Sequence, residues 1–205
     1  MSDTPSFRRV LSAHRALHDL TLPLVRADYD HALDTWQWTL RLAPNAGVAL
    51  QLAALFHDIE RLVSEAERRV EHTAPDYQAF KNAHADAGAR LAGDALGACG
   101  VERERIEQVA RLIREHELPR SASSSADGRL LADADALSFF SLNSPGFADY
   151  YGPEHLRRKV RYTLGRMSSA AVRRLVDVRL RDDVRSALAA ALRERAGAAL
   201  EPEAR

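Results

Sequence analysis

Cysteine, lysine and long apolar runs are the scarce features of this sequence. Cys99 is the single cysteine in 205 residues, so an intrachain disulfide and a cysteine-rich zinc site are both excluded. No run approaches the roughly 18 apolar residues of a membrane span, and the first ten residues lack the apolar core of a signal peptide. We therefore expect a cytoplasmic protein that works in a reducing compartment and does not bind membranes.

An excess of charge of one sign is also missing. The 29 Lys and Arg residues balance the 29 Asp and Glu residues, which leaves a formal net charge of +0. Nucleic acids attract strongly basic domains, and single strands are bound by basic residues interleaved with aromatic ones. Neither feature is present, and there is no glycine-rich phosphate loop. We predict no nucleic-acid partner, and we expect a monomer or a homodimer.

Apolar residues at helical spacing are abundant. Val48, Leu52, Leu55, Phe56 and Ile59 fall at i, i+4, i+7, i+8 and i+11, which is the wide apolar stripe of an amphipathic helix. The period-two alternation of a half-buried strand is found nowhere in the sequence. The pattern predicts an all-α chain that folds as a single-domain compact helical bundle of about seven to eight helices.

Capping residues and breakers set the expected helix bounds. Pro44 ends one helix, Asp76 can cap another, and Gly100 stops it. Residues 143–146 are predicted to be irregular. After an N-terminal helix, the predicted helices cover residues 27–42, 48–63, 76–100, 102–117, 127–140, 154–166 and 170–195.

Histidines and carboxylates lie on or beside the apolar faces. His57 and Asp58 follow the apolar residues 53–56, and four further predicted helices carry His31, His84, His116 and Asp135. Burying such groups without a partner costs several kcal/mol, so they must be hydrogen-bonded, paired or metal-bound. For one histidine alone, a hydrogen-bonded core residue is the commoner case. Imidazoles and carboxylates together suit divalent ions such as iron, manganese, cobalt or zinc.

The ordered set of these residues resembles the HD-domain superfamily, which is named after its His-Asp doublet and is known for metal-dependent phosphohydrolases. Three local contexts carry the resemblance: LAALFHDIER, HADAGARLAGDAL followed by IEQVARLIREHE, and LLADADALSFF. The similarity covers roughly residues 25–140. It implies a metal-binding helical domain at residues 25–168. An N-terminal helix at residues 1–24 would pack on its core, and residues 169–205 would add a C-terminal helix and a frayed tail to the same domain.

The resemblance also implies a role for each ligand. One metal ion would be held by His31, His57, Asp58 and Asp135. A second would be supported by His84 and His116, with Asp58 as the bridge. The cofactor is then one or two divalent transition-metal ions, with iron or manganese ahead of cobalt, nickel, zinc or magnesium. Asp133 is close enough to compete with Asp135, which we prefer because it matches the ADxL pattern.

Basic residues near the ligands are candidates for substrate contacts. Arg61 lies one turn after the doublet and Lys81 one turn before His84. With Asp58, they are predicted to act in catalysis by a metal-activated water. The residues predicted to bind a small anionic substrate are Arg61, Lys81, Lys159 and Arg161. For each of them, a solvated surface position is the commoner case. Glu60 and Glu115 flank ligands and are candidates for a general base, but an ordinary surface acid is the commoner case and the one we expect.

Three functions are compatible with this set of residues. The first is a metal-dependent phosphohydrolase that cleaves a phosphate ester or anhydride of a small molecule such as a nucleotide. The second is a mixed-valence diiron oxygenase of the same superfamily that acts on a small polar substrate. The third is a non-catalytic, metal-binding regulatory module. Glu60 stands where many members have glycine and no GYP signature follows, so a cyclic-dinucleotide phosphodiesterase is not indicated.

Overall fold

The computed structural model describes residues 7–69, 76–119 and 124–198, and within these ranges the chain forms helices and no strand. The all-α prediction is therefore confirmed for the described residues. Over the same ranges, no helix combines the length and the apolar character that a membrane crossing requires. The end of the predicted frayed tail, from residue 199, lies outside the described residues.

The described residues form ten α-helices, one π-helix and one 3-10 turn. In chain order they are α1 (Phe7–Leu17), α2 (Pro23–Leu42), α3 (Val48–Phe56), α4 (Arg61–Ser64), α5 (Tyr77–Ala98), α6 (Arg103–His116), α7 (Ala126–Ser138), a π-helix (Phe139–Asn143), α8 (Ser144–Arg166), α9 (Ser169–Arg174), a 3-10 turn (Leu175–Asp177) and α10 (Asp182–Ala198).

The chain divides into two compact units whose boundary lies between Asp135 and Ala136. In the first unit, α5 packs along α6, and α3 packs on α2, α5 and α6. The short helix α3 is buried over most of its length, because its apolar residues face neighbours on several sides. Every predicted metal ligand belongs to this first unit. The predicted division at residues 24 and 168 stays a prediction.

Two of the expected helix signals work as predicted at the ends of α5. The Asp76 carboxylate accepts a hydrogen bond from the Ala79 backbone N–H at 2.9 Å, which satisfies a donor of the first turn. After the helix, Gly100 has φ 80° and Val101 N–H donates to the Leu96 carbonyl at 3.1 Å. A glycine in the left-handed conformation is the usual way to end a helix.

The doublet lies in a turn and not inside a helix. The sequence predicts one helix over residues 48–63, whereas α3 ends at Phe56 and α4 begins at Arg61. His57 uses its imidazole to bond the Ala54 carbonyl at 2.9 Å. The backbone then tightens: Ile59 N–H donates to the Phe56 carbonyl at 3.2 Å and Arg61 N–H to the Asp58 carbonyl at 3.0 Å. Side-chain bonds of this kind compete with the regular helix pattern.

The second unit departs from the expected bounds at its start. Residues 143–146 were predicted to be irregular, but α8 begins at Ser144 with a proline in its first turn, a position where the missing N–H costs nothing. The helix direction changes at Gly152, which has φ 81° and precedes Pro153. Within this unit α10 packs on α8, and the C-terminal region forms two helices where one was expected.

Candidate metal centre

The six predicted ligands come together in the first unit. His31 comes from α2, His57 and Asp58 from the turn after α3, His84 from α5, His116 from the end of α6 and Asp135 from α7. All are buried except Asp135, whose side chain is 22% exposed. Together with Glu117, which was not predicted, they form three overlapping groups in which all ligand atoms lie within 4.8 Å of one another. The groups are His31, His57 and Asp135; His57, Asp58 and His116; and Asp58, His84 and Glu117.

The first group has spacings suited to one shared ion. The Nε2 atoms of His31 and His57 are 3.3 Å apart. Asp135 Oδ1 lies 3.2 Å from His31 Nε2 and 3.7 Å from His57 Nε2. Two ligand atoms that each lie about 2.1 Å from one ion are about 3.0 to 3.4 Å apart. The observed spacings are at or slightly above this range, so small side-chain movements bring the three atoms onto one ion.

Asp58 faces both sides of the site. Its Oδ2 lies 3.8 Å from the Nε2 atoms of His31 and His57, and its Oδ1 accepts a hydrogen bond from His84 Nε2 at 2.9 Å. A carboxylate whose two oxygens point at different imidazoles has the orientation of a bridge between two ions.

Two of the imidazoles are oriented by helix ends. His57 Nδ1 bonds the Ala54 carbonyl at 2.9 Å, and His116 Nδ1 bonds the Ile113 carbonyl at 2.5 Å. Carbonyls in the last turn of a helix lack backbone partners, and an imidazole three residues later can supply the donor. Because Nδ1 carries the proton, the lone pair of Nε2 points into the site, as metal binding requires.

His84 is oriented by a carboxylate that the sequence reasoning undervalued. Glu60 Oε2 lies 2.7 Å from His84 Nδ1 and also accepts a hydrogen bond from the Ser64 hydroxyl at 2.9 Å. Burial lowers the pKa of His84, but its bonds to Asp58 and Glu60 raise that pKa to about 9. Glu60 was expected to be a surface acid, and that expectation is wrong. A carboxylate behind a ligand imidazole holds the ring and makes it a stronger ligand.

The other expected surface acid, Glu115, connects two elements. Its Oε2 accepts the Ser125 backbone N–H at 3.0 Å and the Ser125 hydroxyl. The same hydroxyl accepts the Gly128 N–H at 3.0 Å in the first turn of α7. Glu115 therefore links the end of α6 to the start of the helix that carries Asp135. Within the described ranges the ligand groups contain Asp135 and not Asp133.

Close approach of α5 to the doublet depends on a glycine. A Cβ atom added at Gly88 would lie 3.3 Å from the His57 carbonyl oxygen, which is tighter than an ordinary contact. Gly88 is one turn after His84 on α5. The absence of a side chain there lets the helix that carries His84 lie against the turn that carries Asp58.

Glu117 is the site residue that the sequence reasoning missed. It is 1% exposed, follows His116 at the end of α6, and shares a ligand group with Asp58 and His84. The Lys81 ammonium contacts its Oε1. A signal was present: His116-Glu117 repeats the order of imidazole and carboxylate in His57-Asp58, but only the first doublet was considered.

The basic residues predicted to bind substrate have protein partners. Arg61 Nε bonds Asp58 Oδ2 at 2.8 Å, and its Nη1 lies 2.5 Å from Glu65 Oε2. In the second unit, Arg161 Nε is 2.8 Å from Glu194 Oε2, and Lys159 Nζ lies 5.8 Å from the centre of the Phe139 ring. A role in substrate binding stays a prediction for Arg61, Lys81, Lys159 and Arg161.

Two carboxylates and one imidazole of the site are in the protonation states that bind a cation. Burial raises the pKa values of Asp58 and Asp135, but nearby groups lower both well below their usual value: Arg61 and His57 act on Asp58, and His31 and His57 on Asp135. Burial lowers the pKa of His116 to about 4, so its imidazole is neutral near pH 7. Ionised carboxylates and neutral imidazoles are the forms that bind metal ions. His84 has a pKa of about 9, and burial lowers the pKa of His57 but Asp58 and Asp135 raise it above its usual value, so metal binding would displace protons from these two imidazoles.

Negative charge exceeds positive charge around the ligands. Asp58, Glu60, Glu117 and Asp135 bring four carboxylates, whereas the cations in contact with them are Arg61 and Lys81, in the part of the chain that the structure describes. Once the imidazoles have lost their protons to an incoming metal ion, the group is therefore anionic. The residues present fit one or two divalent ions, both in the kind of ligand atom and in charge.

Comparison with known proteins identifies the family. The family model described as Domain of unknown function (DUF4202) matches residues 9–188. Neither a curated protein nor a solved structure matches the chain. The chain belongs to the DUF4202 family, and the matched range includes every residue of the candidate metal centre.

Proposed function

We propose that this member of the DUF4202 family is a metal-dependent hydrolase that cleaves a phosphate ester or anhydride of a small molecule. The observation that carries the proposal is the position of Asp58. One oxygen faces His31 and His57, and the other bonds His84. A carboxylate shared between two sets of ligands supports a two-metal centre, the arrangement that serves hydrolysis of phosphate bonds.

Each residue of the centre has a definite task in this proposal. His31, His57 and Asp135 would hold one ion, His84 and His116 would support the other, and Asp58 would be shared between them. When bound, divalent ions lower the pKa of water and withdraw charge from phosphoryl oxygens. The chain contributes the orientation: the Ala54 and Ile113 carbonyls hold the imidazoles of His57 and His116, and Glu60 holds His84.

The phosphate class comes from the resemblance to HD-domain phosphohydrolases and not from a phosphate-binding side chain. Arg61 and Lys81 each contact a carboxylate of the site, which neutralises part of their positive charge and weakens their attraction for a phosphate. The expected substrate is therefore a small anionic molecule whose phosphate oxygens contact the metal ions, with nucleotides among the candidates.

The test combines metal loading with a substrate panel. The protein is stripped with a chelator, reloaded with Mn²⁺, Fe²⁺, Co²⁺, Ni²⁺, Zn²⁺ or Mg²⁺, and incubated with phosphate monoesters, diesters and nucleotides. Phosphate release is measured for the monoesters and nucleotides, and release of the alcohol is measured for the diesters. We expect activity with at least one metal, and we expect His57→Gln to abolish it. His155→Gln, in the second unit, is the matched control and should stay active. Activity that is the same in both variants would refute the proposal.

The diiron oxygenase is the second candidate, and one observation favours it. The ligand groups of the described residues contain imidazoles and carboxylates alone, which are also the ligands of non-haem iron sites. Iron-loaded protein should then consume oxygen in the presence of a small polar substrate, with a mixed-valence iron signal in electron paramagnetic resonance. Oxygen uptake without phosphate release would replace the hydrolase proposal. Metal binding without either activity would favour the regulatory module.

A further inference from the structure

We infer that Glu117 is a direct ligand of the second metal ion, together with Asp58 and His84, and that Lys81 positions its carboxylate. The pattern of residues that carries the resemblance does not include Glu117. The inference rests on the metal centre of the proposed function and adds a ligand and a metal preference to it.

The position of Glu117 supports a ligand role. A carboxylate oxygen of Glu117, one of Asp58 and a nitrogen of His84 all lie within 4.8 Å of one another. Glu117 Oε1 is also 3.5 Å from His116 Nε2, the nitrogen that the Ile113 carbonyl leaves available for a metal. The helices α5 and α6 and the turn after α3 therefore bring two carboxylates and two imidazoles to one place in the interior.

Lys81 explains how this carboxylate can be buried. Lys81 is 4% exposed and Glu117 is 1% exposed, and removing two charges from water is costly even when they pair. Two apolar residues of the same size often give a core at least as much stability as a buried ion pair does. A pair used only for stability has no reason to converge on two further ligand residues. The Lys81 ammonium compensates the charge of this carboxylate and, through its contact with Oε1, fixes the direction of the side chain.

Glu117 also changes which metal the second position prefers. The first group, His31, His57 and Asp135, has two imidazoles and one carboxylate. The second group, Asp58, His84 and Glu117, has two carboxylates and one imidazole. Carboxylate oxygens favour Mn²⁺ and Mg²⁺, whereas imidazoles suit zinc and copper. The second position should therefore have a stronger preference for Mn²⁺ over Zn²⁺ than the first position has.

The experiment counts bound metal and does not depend on activity. Chelator-stripped protein is titrated with Mn²⁺, and free Mn²⁺ is followed by electron paramagnetic resonance. Glu117→Gln alone leaves the Lys81 charge buried and can fail to fold, so the matched variant is Lys81→Met/Glu117→Gln, which removes both charges. Circular dichroism and thermal unfolding establish that each variant is folded.

The two possible roles of Glu117 predict different results for the double variant. We expect the wild-type chain to bind two Mn²⁺ ions and the folded double variant to bind one, with affinity for the second ion lower by more than about 100-fold. Zn²⁺ binding at the first position should be unchanged. If Glu117 serves only the ion pair with Lys81, the double variant will bind two ions with wild-type affinity, and the inference is wrong.

Other outcomes separate this inference from the proposed function. If the wild-type chain binds one or two ions and the double variant binds them with the same affinities, Glu117 is not a ligand. The metal centre of the proposed function is then unaffected. A wild-type chain that binds no metal refutes both.

Discussion

Arg61 and Arg103 provide a controlled comparison of a buried and an exposed ion pair. Both contact a glutamate four residues later: Arg61 Nη1 lies 2.5 Å from Glu65, and Arg103 Nε lies 2.9 Å from Glu107. The side chains of the first pair are 13% and 1% exposed, whereas those of the second are 92% and 63% exposed. Sequence spacing and residue types are the same in the two pairs. Arg61 Nε also bonds Asp58 Oδ2 at 2.8 Å, so burial and this second carboxylate together should decide the difference in stability.

We expect Arg61→Met to lower the free energy of unfolding by about 3 kcal/mol, at the low end of the range for a broken buried pair. The low end applies because Arg69 Nη1 lies 3.4 Å from the same Glu65 oxygen. In the variant, Arg69 would still neutralise part of the buried charge of Glu65. Arg103→Met should cost only about 0.3 to 0.5 kcal/mol. Methionine keeps the apolar part of the arginine side chain in both cases, so packing changes little.

The measurement is urea unfolding at pH 7, followed by circular dichroism, with a chelator present so that metal binding adds no stability. The change in free energy is obtained from the midpoint and the slope of each transition. If the two variants differ by less than about 1 kcal/mol, Arg61 does not serve to hold Asp58 and Glu65 in place. The sequence-based prediction that Arg61 contacts substrate would then become the better account of this residue.

Three further predictions concern single side chains of the first unit. Glu60→Gln should weaken metal binding about 10- to 100-fold, because the carboxylate orients His84; isothermal titration with Mn²⁺ measures this, and unchanged affinity would contradict it. Gly88→Ala should lower the melting temperature, because the new Cβ would lie 3.3 Å from the His57 carbonyl oxygen; an unchanged melting temperature would contradict the close approach. Burial and, to a smaller extent, the nearby His18 lower the pKa of His14 to about 3. Between about pH 6.5 and 3 the unfolded state therefore binds a proton that the folded state does not. The free energy of unfolding should fall with decreasing pH in this range, by at most about 1.4 kcal/mol per pH unit. The variant His14→Phe should show a shallower decline in urea unfolding across this range, and parallel curves would refute the assignment.

The helices could be predicted from the sequence because local rules decide them. The capping carboxylate of Asp76 and the left-handed Gly100 act within a few residues, and both work as expected. The bounds near the doublet could not be predicted. There, the His57 imidazole replaces a backbone donor at the Ala54 carbonyl, and this competes with a strong apolar helical pattern.

The metal ligands could be proposed from residue type and order, whereas the residues around them could not. Glu60 lies three residues after His57 and Glu115 directly precedes His116, so each is an acid near a ligand histidine and nothing in the sequence separates the two. The first bonds His84 across two elements, and the second bonds Ser125 near the start of α7. These contacts join residues 24 and 10 positions apart, and their partners depend on how the elements pack.

The two doublets of the site follow one physical rule. His57 directly follows the end of α3 and His116 is the last residue of α6, and each donates Nδ1–H to the carbonyl three residues earlier. That bond needs no other residue of the site, so the backbone alone directs each Nε2 lone pair. Because α3 packs on α6, the two rings meet with their centres 5.3 Å apart. Asp58 and Glu117, the carboxylates that follow the two histidines, then lie in one ligand group with His84. Glu117 therefore has the same place in the second doublet as Asp58 has in the first.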